Sequence, residues 1–156
     1  MLIPQNHFIG DYGDVAAIEG DKMQAKERLK RLEKEIEEMK NEDCPVVVEG
    51  EKDEKSLRDM NFRGEIIKLN QGIPIFALCE EISKSHKKVI LLPDWDRKGS
   101  QISKLLEEGL RANGVNFDTK HKRRIAFLAK DIKEVECLAV YLSKLKEEAD
   151  HSNSIL

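Results

Sequence analysis

The feature that most constrains the fold is a pair of short apolar runs, residues 46–48 and 88–92, each followed closely by acidic residues. Runs of valine, isoleucine and leucine without polar alternation are typical of strands buried on both faces of a parallel sheet. Charged segments with helical spacing alternate with these runs along the chain. The alternation predicts an α/β fold, mainly a parallel four-stranded sheet with helices on both faces.

Turn-forming residues and apolar spacing place the remaining elements. Proline suits the first turn of a helix, and an Asn-Gly pair suits the left-handed end of one. The further strands that we expect are residues 65–69 and 124–128. The helices that we expect are residues 52–60, one starting at Pro74, one ending at Asn113-Gly114, and residues 132–146.

A change in composition separates an irregular lead-in from a highly charged helix at residues 22–40. The apolar residues of this helix form one narrow stripe: Ala25, Leu29, Leu32, Ile36 and Met39. Two uses of the stripe stay open, packing on the chain's own domain or a short seam for a homodimer. We therefore divide the chain into an N-terminal helical extension at 1–43, an α/β domain at 44–130, and a C-terminal helix with a frayed tail at 131–156.

The charge balance narrows the classes of partner. A net charge of −3 and a pI of about 5.9 argue against coating nucleic acid through bulk electrostatics, so any such contact must be local. Three cysteines without metal-type spacing are expected to be buried thiols in a reducing cytoplasm: Cys44, Cys79 and Cys137. No stretch approaches the roughly 18 apolar residues of a membrane-spanning helix, so we expect a cytoplasmic protein with no membrane partner.

Three carboxylates mark the ends of the two apolar runs. Glu49 follows residues 46–48, while Asp94 and Asp96 follow the other run two residues apart, a spacing that projects both to one side in extended geometry. If the two strands are neighbours, the three carboxylates converge and repel one another unless a cation lies between them. An all-oxygen cluster suits Mg²⁺, with Mn²⁺ as the alternative, in one or two ions.

Basic residues lie next to these acids. Lys52, Arg97 and Lys98 are placed to bind phosphate or nucleic acid beside the carboxylates. A denser basic run at residues 120–124 precedes the expected fourth strand, on the sheet edge opposite the acids. That run is either a nucleic-acid contact or a solvated surface.

Three more side chains have an expected setting. Trp95 lies between the two aspartates and should point away from them, either capping the core or stacking on a base. His86 and His121 are expected at the surface, because no third ligand is spaced to join them.

Residues 46–53 (VVVEGEKD) and 91–99 (LLPDWDRKG) together resemble the two signatures of Toprim domains. That family includes topoisomerases, bacterial primases, overcoming-lysogenization-defect nucleases, recombination mediators and the ribonuclease that matures bacterial 5S ribosomal RNA. The resemblance covers residues 45–128, and the whole chain looks like the small stand-alone archaeal Toprim proteins. It implies the Toprim fold and divalent-metal chemistry on RNA or DNA.

The resemblance also implies roles for individual residues. Glu49 matches the family's acidic residue, which binds metal or moves a proton, and Asp94 with Asp96 matches its metal-binding pair. Supporting positions that fit the pattern are Gly50, Asp53, Gly72 and Gly99. Ser100 departs from it, since many topoisomerases and nucleases carry a further glutamate there.

The leading hypothesis is therefore a Mg²⁺-dependent nuclease, with Asp94 and Asp96 holding the metal and Glu49 sharing it or moving a proton. The alternative is a non-catalytic adaptor that binds metal and nucleic acid in replication, repair or RNA processing. Primer synthesis, as in the primase members of the family, is a third hypothesis.

Overall fold

A computed structural model describes residues 23–95 and 97–155 of the chain. Its strands are β1 (Val46–Val48), β2 (Ile66–Lys68), β3 (Lys88–Leu91) and β4 (Asn116–Asp118). Its α-helices are α1 (Ala25–Asn41), α2 (Glu51–Asp59), α3 (Ile75–Ser85), α4 (Arg97–Ala112), α5 (Lys120–Leu128) and α6 (Leu138–Ile155). A single 3-10 turn, Val135–Cys137, precedes α6.

The four strands form one parallel sheet in the order β2-β1-β3-β4. After β1 the chain adds β2 on one side and then crosses to add β3 on the other, so the strand order reverses between β1 and β3. In open α/β sheets such a reversal leaves a crevice at the carboxyl ends of the two strands, where ligands bind. The predicted fold class is confirmed.

Apolar side chains of the sheet face two separate cores. Val46, Val48, Ile90 and Leu92 pack on one side with residues from α1, α2, α5 and α6. Val47 and Leu91 point to the other side, among residues from α3 and α4. Strand residues buried on both faces explain why the sequence shows continuous apolar runs instead of alternation.

Helix α1 packs on this domain through its apolar stripe. Leu32, Ile36 and Met39 are buried in the same core as β1 and β3. The Arg28 guanidinium is also buried and donates a hydrogen bond to the Leu128 carbonyl at 2.7 Å, which ties α1 to α5. Of the two uses left open for the stripe, intramolecular packing is the one that the structure shows, and a homodimer through α1 stays a prediction.

The predicted fourth strand at residues 124–128 is wrong. Those residues belong to helix α5, and the strand is β4, at Asn116–Asp118. His121, Ile125 and Leu128 are the buried residues of α5, and their spacing of four and three is helical. A short run such as 124–128 fits either element locally, and the polar edge strand before it gives no apolar signal.

Other expectations have mixed outcomes. Gly114 has a φ of +70° just beyond α4, as the Asn113-Gly114 ending predicted. The last helix starts later than expected, at Leu138. The surface setting expected for His121 is wrong, because its side chain is buried.

The three cysteines differ in their exposure. Cys79 is buried and Cys44 is half-buried, whereas Cys137 is exposed against expectation. Among the helices of residues 23–95 and 97–155, none is long and apolar enough to cross a bilayer.

Candidate metal centre

The carboxyl ends of β1 and β3 bring two of the predicted acidic residues together. These strands are direct neighbours, paired at Val47 and Leu91. The Glu49 side chain follows β1 and accepts a hydrogen bond through Oε2 from the backbone N–H of Asp94, at 3.0 Å. Both residues are half-buried, so their carboxyl groups share a small, partly desolvated volume.

Asp94 titrates abnormally in this setting. Burial raises its pKa from 3.8 to about 7, and the negative charges of Glu49 and Asp53 act in the same direction. A hydrogen bond from the backbone N–H of Val135 to Asp94 Oδ1, at 3.2 Å, opposes this only in part. Without a cation the cluster therefore favours a retained proton, and a divalent ion would favour the fully ionised form.

Asp53 is a third carboxylate near this volume. It is buried in the first turn of α2, and its Oδ2 accepts a hydrogen bond from the backbone N–H of Gly50 at 3.0 Å, so it caps the helix. Burial raises its pKa, the charges of Glu49 and Glu136 add to that effect, and backbone hydrogen bonds from Gly50 and Glu136 oppose it. Asp53 both fixes the start of α2 and increases the negative potential beside Glu49.

The 3-10 turn at Val135–Cys137 supports the cluster from a distant part of the chain. Backbone N–H groups of Val135 and Glu136 hold the carboxylates of Asp94 and Asp53. Nearby, the backbone N–H of Ala139 donates to Ser56 Oγ at 3.1 Å, which fixes the start of α6 to α2. Sequence reasoning missed this support, because backbone N–H donors carry no residue signature.

Two glycines of the predicted pattern allow close packing at the site. A Cβ at Gly99 would lie 1.7 Å from the carbonyl oxygen of Asp94, so only glycine lets α4 begin directly against this backbone. A Cβ at Gly50 would lie 2.8 Å from the side-chain nitrogen of Asn70, a lesser conflict because the end of a side chain can shift more easily than backbone. Gly72 has a φ of +77° with open space around it, so it shapes the loop after β2 and does not join the acids.

The remaining predicted residues are placed as follows. Asp96 and the side chain of Arg97 lie outside the described part of the structure. Lys52 and Lys98 are exposed in the first turns of α2 and α4, the helices that begin just after the two acidic strand ends. Trp95 packs against the core and donates its Nε1–H to the Ile132 carbonyl at 2.7 Å, as the core-capping interpretation expected.

The donor chemistry of this edge fits a hard divalent cation. The carboxylates of Glu49, Asp53 and Asp94 interact electrostatically at this edge, where burial raises the pKa of Asp53 and Asp94. Hard cations such as Mg²⁺ prefer oxygen ligands, which these carboxylates supply.

Comparisons with known proteins agree with the fold. The family model of the Toprim domain matches residues 44–130, a range that contains all four strands and both acidic motifs. A UPF0292 protein of Pyrococcus horikoshii is 38% identical over 119 residues, covering 74% of this chain and 88% of the relative. A UPF0292 protein of Methanocaldococcus jannaschii is 33% identical over 126 residues, covering 78% and 98%. A solved structure of a protein from Aquifex aeolicus is 28% identical with a TM-score of 0.53, covering 70% of this chain and 94% of that one.

Proposed function

Because this chain belongs to the Toprim domain family, we propose that it is a Mg²⁺-dependent nuclease that cleaves phosphodiester bonds in RNA or DNA. The family itself implies metal binding and a role connected with nucleic acid. The observation that carries the finer proposal is the contact between the Glu49 carboxylate and the backbone of Asp94, beside an Asp94 carboxyl whose pKa is raised to about 7.

Glu49 and Asp94 would hold the metal, with Asp96 as the third ligand that the sequence motif supplies. When bound, Mg²⁺ provides Lewis-acid stabilisation of charge on phosphate oxygens. Asp94 is fixed through its backbone N–H by Glu49 and through its side chain by Val135, so its carboxylate is oriented before any ligand arrives. Such preorganisation lowers the cost of placing a phosphate group against the site.

Glu49 is the residue that we assign to proton movement. Its carboxylate lies at the strand end beside Asp94, in a volume already rich in negative charge. A carboxylate in that position can accept a proton from a nucleophile that approaches the phosphate, or share the metal with Asp94. Either role requires the charged side chain, whereas the hydrogen bond to Asp94 requires only an oxygen acceptor.

Phosphate binding is assigned to the first turn of α4 more than to that of α2. The first turn of α2 carries Glu51, Asp53 and Glu54, whereas that of α4 has no acidic residue. The exposed Lys98 therefore adds its charge to the partial positive charge of a helix N-terminus whose first turn carries no acidic residue. Lys52 has the same exposure, but acidic neighbours weaken its attraction for phosphate.

The test is cleavage of labelled structured RNA and single-stranded DNA by the purified chain with Mg²⁺, Mn²⁺ or EDTA. We expect metal-dependent products that Glu49→Gln abolishes, because glutamine keeps an oxygen acceptor for Asp94 but loses the charge. Glu51→Gln, at an exposed position two residues later where α2 begins, is the matched control and should cleave normally.

Circular dichroism of both variants checks that the fold is intact. If the wild type binds nucleic acid in the presence of metal but yields no product, the nuclease assignment is wrong. The non-catalytic adaptor would then be the correct reading, in line with Ser100 standing where many catalytic members carry glutamate.

A further inference from the structure

A second group of ligand-type side chains lies away from the acidic strand ends. One ligand atom each from Glu42, Asp118 and His121 falls within 4.8 Å of the others. Glu42 precedes β1 whereas Glu49 follows it, so the two groups lie toward opposite ends of that strand. Asp118 ends the edge strand β4, and His121 lies in the first turn of α5.

His121 is oriented by a buried carboxylate. Its side chain is 5% exposed, and its Nδ1 lies 2.6 Å from Oε2 of Glu35, which is 6% exposed. Nδ1–H donates to Glu35, and Nε2 contacts Glu42 Oε2, so without a metal both ring nitrogens can donate to carboxylates. A metal ion between Nε2 and Glu42 would take the place of the Nε2 proton. A histidine that ligates a metal through one nitrogen and donates the other N–H to a carboxylate has this arrangement.

Three carboxylates surround His121. Burial lowers the pKa of the imidazole, but the hydrogen bonds to Glu42 and Glu35 raise it overall. Glu35, Glu42 and Asp118 face the imidazole, with Asp43 and the Cys44 thiol near Glu42. Besides His121, Lys88 and Arg124 pair with these acids: Lys88 Nζ lies 3.0 Å from Glu42 Oε1, and Arg124 Nη1 lies 3.6 Å from Glu35 Oε2.

Both of these cations are about half exposed, at 48% for Lys88 and 55% for Arg124. Ion pairs with such solvated groups contribute little. A bound divalent cation would neutralise the group more completely than either side chain, because it can contact Glu42 and Asp118 together.

We propose that Glu42, Asp118 and His121 bind one divalent transition-metal ion of the Zn²⁺ class, at a site separate from the Toprim metal centre. One imidazole nitrogen and two carboxylate oxygens form a ligand set that Zn²⁺ accepts with tetrahedral geometry, the fourth position being open to water. The imidazole disfavours Mg²⁺, which prefers oxygen ligands. The ligands join α1, β4 and α5, so the ion would link the N-terminal helix to the edge of the sheet.

The experiment is calorimetric titration of Zn²⁺ into the full chain after removal of metals with EDTA, in buffer containing excess Mg²⁺. We expect one Zn²⁺ equivalent that Mg²⁺ does not displace, with visible absorption from Co²⁺ substituted at the same site reporting its geometry. Asp118→Asn should weaken Zn²⁺ binding at least tenfold. Asparagine keeps the Oδ1 that accepts the Lys120 backbone N–H at 2.6 Å, so the turn before α5 is preserved.

Matched variants separate this site from other acids. Asp43→Asn changes an exposed acid next to Glu42 and should leave the affinity for Zn²⁺ unchanged. Glu35→Gln should lower that affinity roughly 10- to 100-fold, as loss of an outer-shell carboxylate does. Glu49→Gln should have no effect on this equivalent.

The proposal is overturned if the wild type takes up no Zn²⁺ in the presence of Mg²⁺, or if Asp118→Asn binds it as tightly as Asp43→Asn. Loss of binding in Glu49→Gln would also overturn it, by placing the ion at the acidic strand ends. Asp118→Asn removes only a charge from a half-buried residue at the end of β4, so the test does not depend on replacing the buried His121.

Discussion

Glu49 and Asp94 are 45 residues apart in the sequence, yet a single hydrogen bond of 3.0 Å joins the carboxylate of the first to the backbone N–H of the second. The contact forms because β1 and β3 are neighbours in a parallel sheet and both residues leave it at the same edge. It fixes the loop that carries Asp94 and places two acidic groups where one hard cation would satisfy both. Four predictions follow from this site and from the packing around it.

The stability of the metal-free protein should fall as the pH rises from about 4 to above 7. Because the pKa of Asp94 is raised from 3.8 to about 7, the folded protein holds this proton more tightly than the unfolded chain does. That stabilisation is complete below pH 3.8 and is lost as the pH passes about 7. Between pH 5 and 8, the Tm of Asp94→Asn should fall roughly 5 °C less than the Tm of the wild type.

Thermal unfolding in EDTA at several pH values measures this effect. Asp131→Asn, at an exposed position, should follow the wild-type curve. Added Mg²⁺ should raise the wild-type Tm more at pH 8 than at pH 5. Parallel plots of Tm against pH for the wild type and Asp94→Asn would contradict the raised pKa of Asp94.

Gly99→Ala should disturb the metal centre itself. The new Cβ would lie 1.7 Å from the Asp94 carbonyl oxygen, a rigid backbone atom, so either α4 or the Asp94 loop must shift. We expect a loss of roughly 1–3 kcal/mol in the free energy of unfolding and at least tenfold weaker Mg²⁺ binding. Gly114→Ala is the control, because its φ of +70° strains the backbone in open space far from the acids. Equal effects of both variants on Mg²⁺ affinity would refute this role for Gly99.

Lys98→Ala should weaken nucleic-acid binding more than Lys52→Ala does. Both lysines are exposed at helix starts, but only the α2 turn carries acidic residues that oppose phosphate. Loss of one phosphate contact should lower the slope of log affinity against log salt by about 1. Binding of labelled RNA or DNA at several salt concentrations measures both quantities, with Lys144→Ala on α6 as the exposed control. Similar losses of nucleic-acid affinity for all three variants would indicate that diffuse surface charge, and not Lys98 in particular, binds the nucleic acid.

Leu32→Ala should strongly destabilise the fold of each individual chain, whether or not the chain forms a dimer. Leu32 is fully buried between α1 and the sheet, so truncation leaves a cavity that costs roughly 2–5 kcal/mol. Lys34→Ala, on the exposed side of the same helix, should change the free energy of unfolding by less than about 0.5 kcal/mol. Urea unfolding at two protein concentrations distinguishes packing of α1 within one chain from a homodimer seam. A seam through α1 would make the unfolding transition depend on protein concentration.

The continuous apolar runs were sufficient to predict most of the sheet. Residues 46–48 and 88–92 indicated strands buried on both faces, and the acids at their ends were expected to converge if the two strands were neighbours. The edge strand β4 escaped prediction because Asn116 and Asp118 are polar and the strand has only three residues. Because residues 116–118 lack an apolar pattern, the nearby run at 124–128 was predicted as the fourth strand instead.

The missed parts of the site depend on long-range contacts. His121 is buried because its partner Glu35 is 86 residues earlier in the chain, a pairing that no local pattern reveals. Support of Asp94 by the Val135 backbone spans 41 residues and involves no side chain of the donor. The division of the chain at residues 43 and 130 and the roles of the individual site residues stay predictions.

The 3-10 turn at Val135–Cys137 limits how far the chain can be truncated from its C-terminal end. The family-matched range ends at residue 130, but the N–H groups that steady Asp94 and Asp53 come from the residues just beyond it. A fragment truncated at that boundary would keep every acidic residue of the motif and lose the scaffold that aims two of them. A shortened form of the chain should therefore extend into α6, past Ala139.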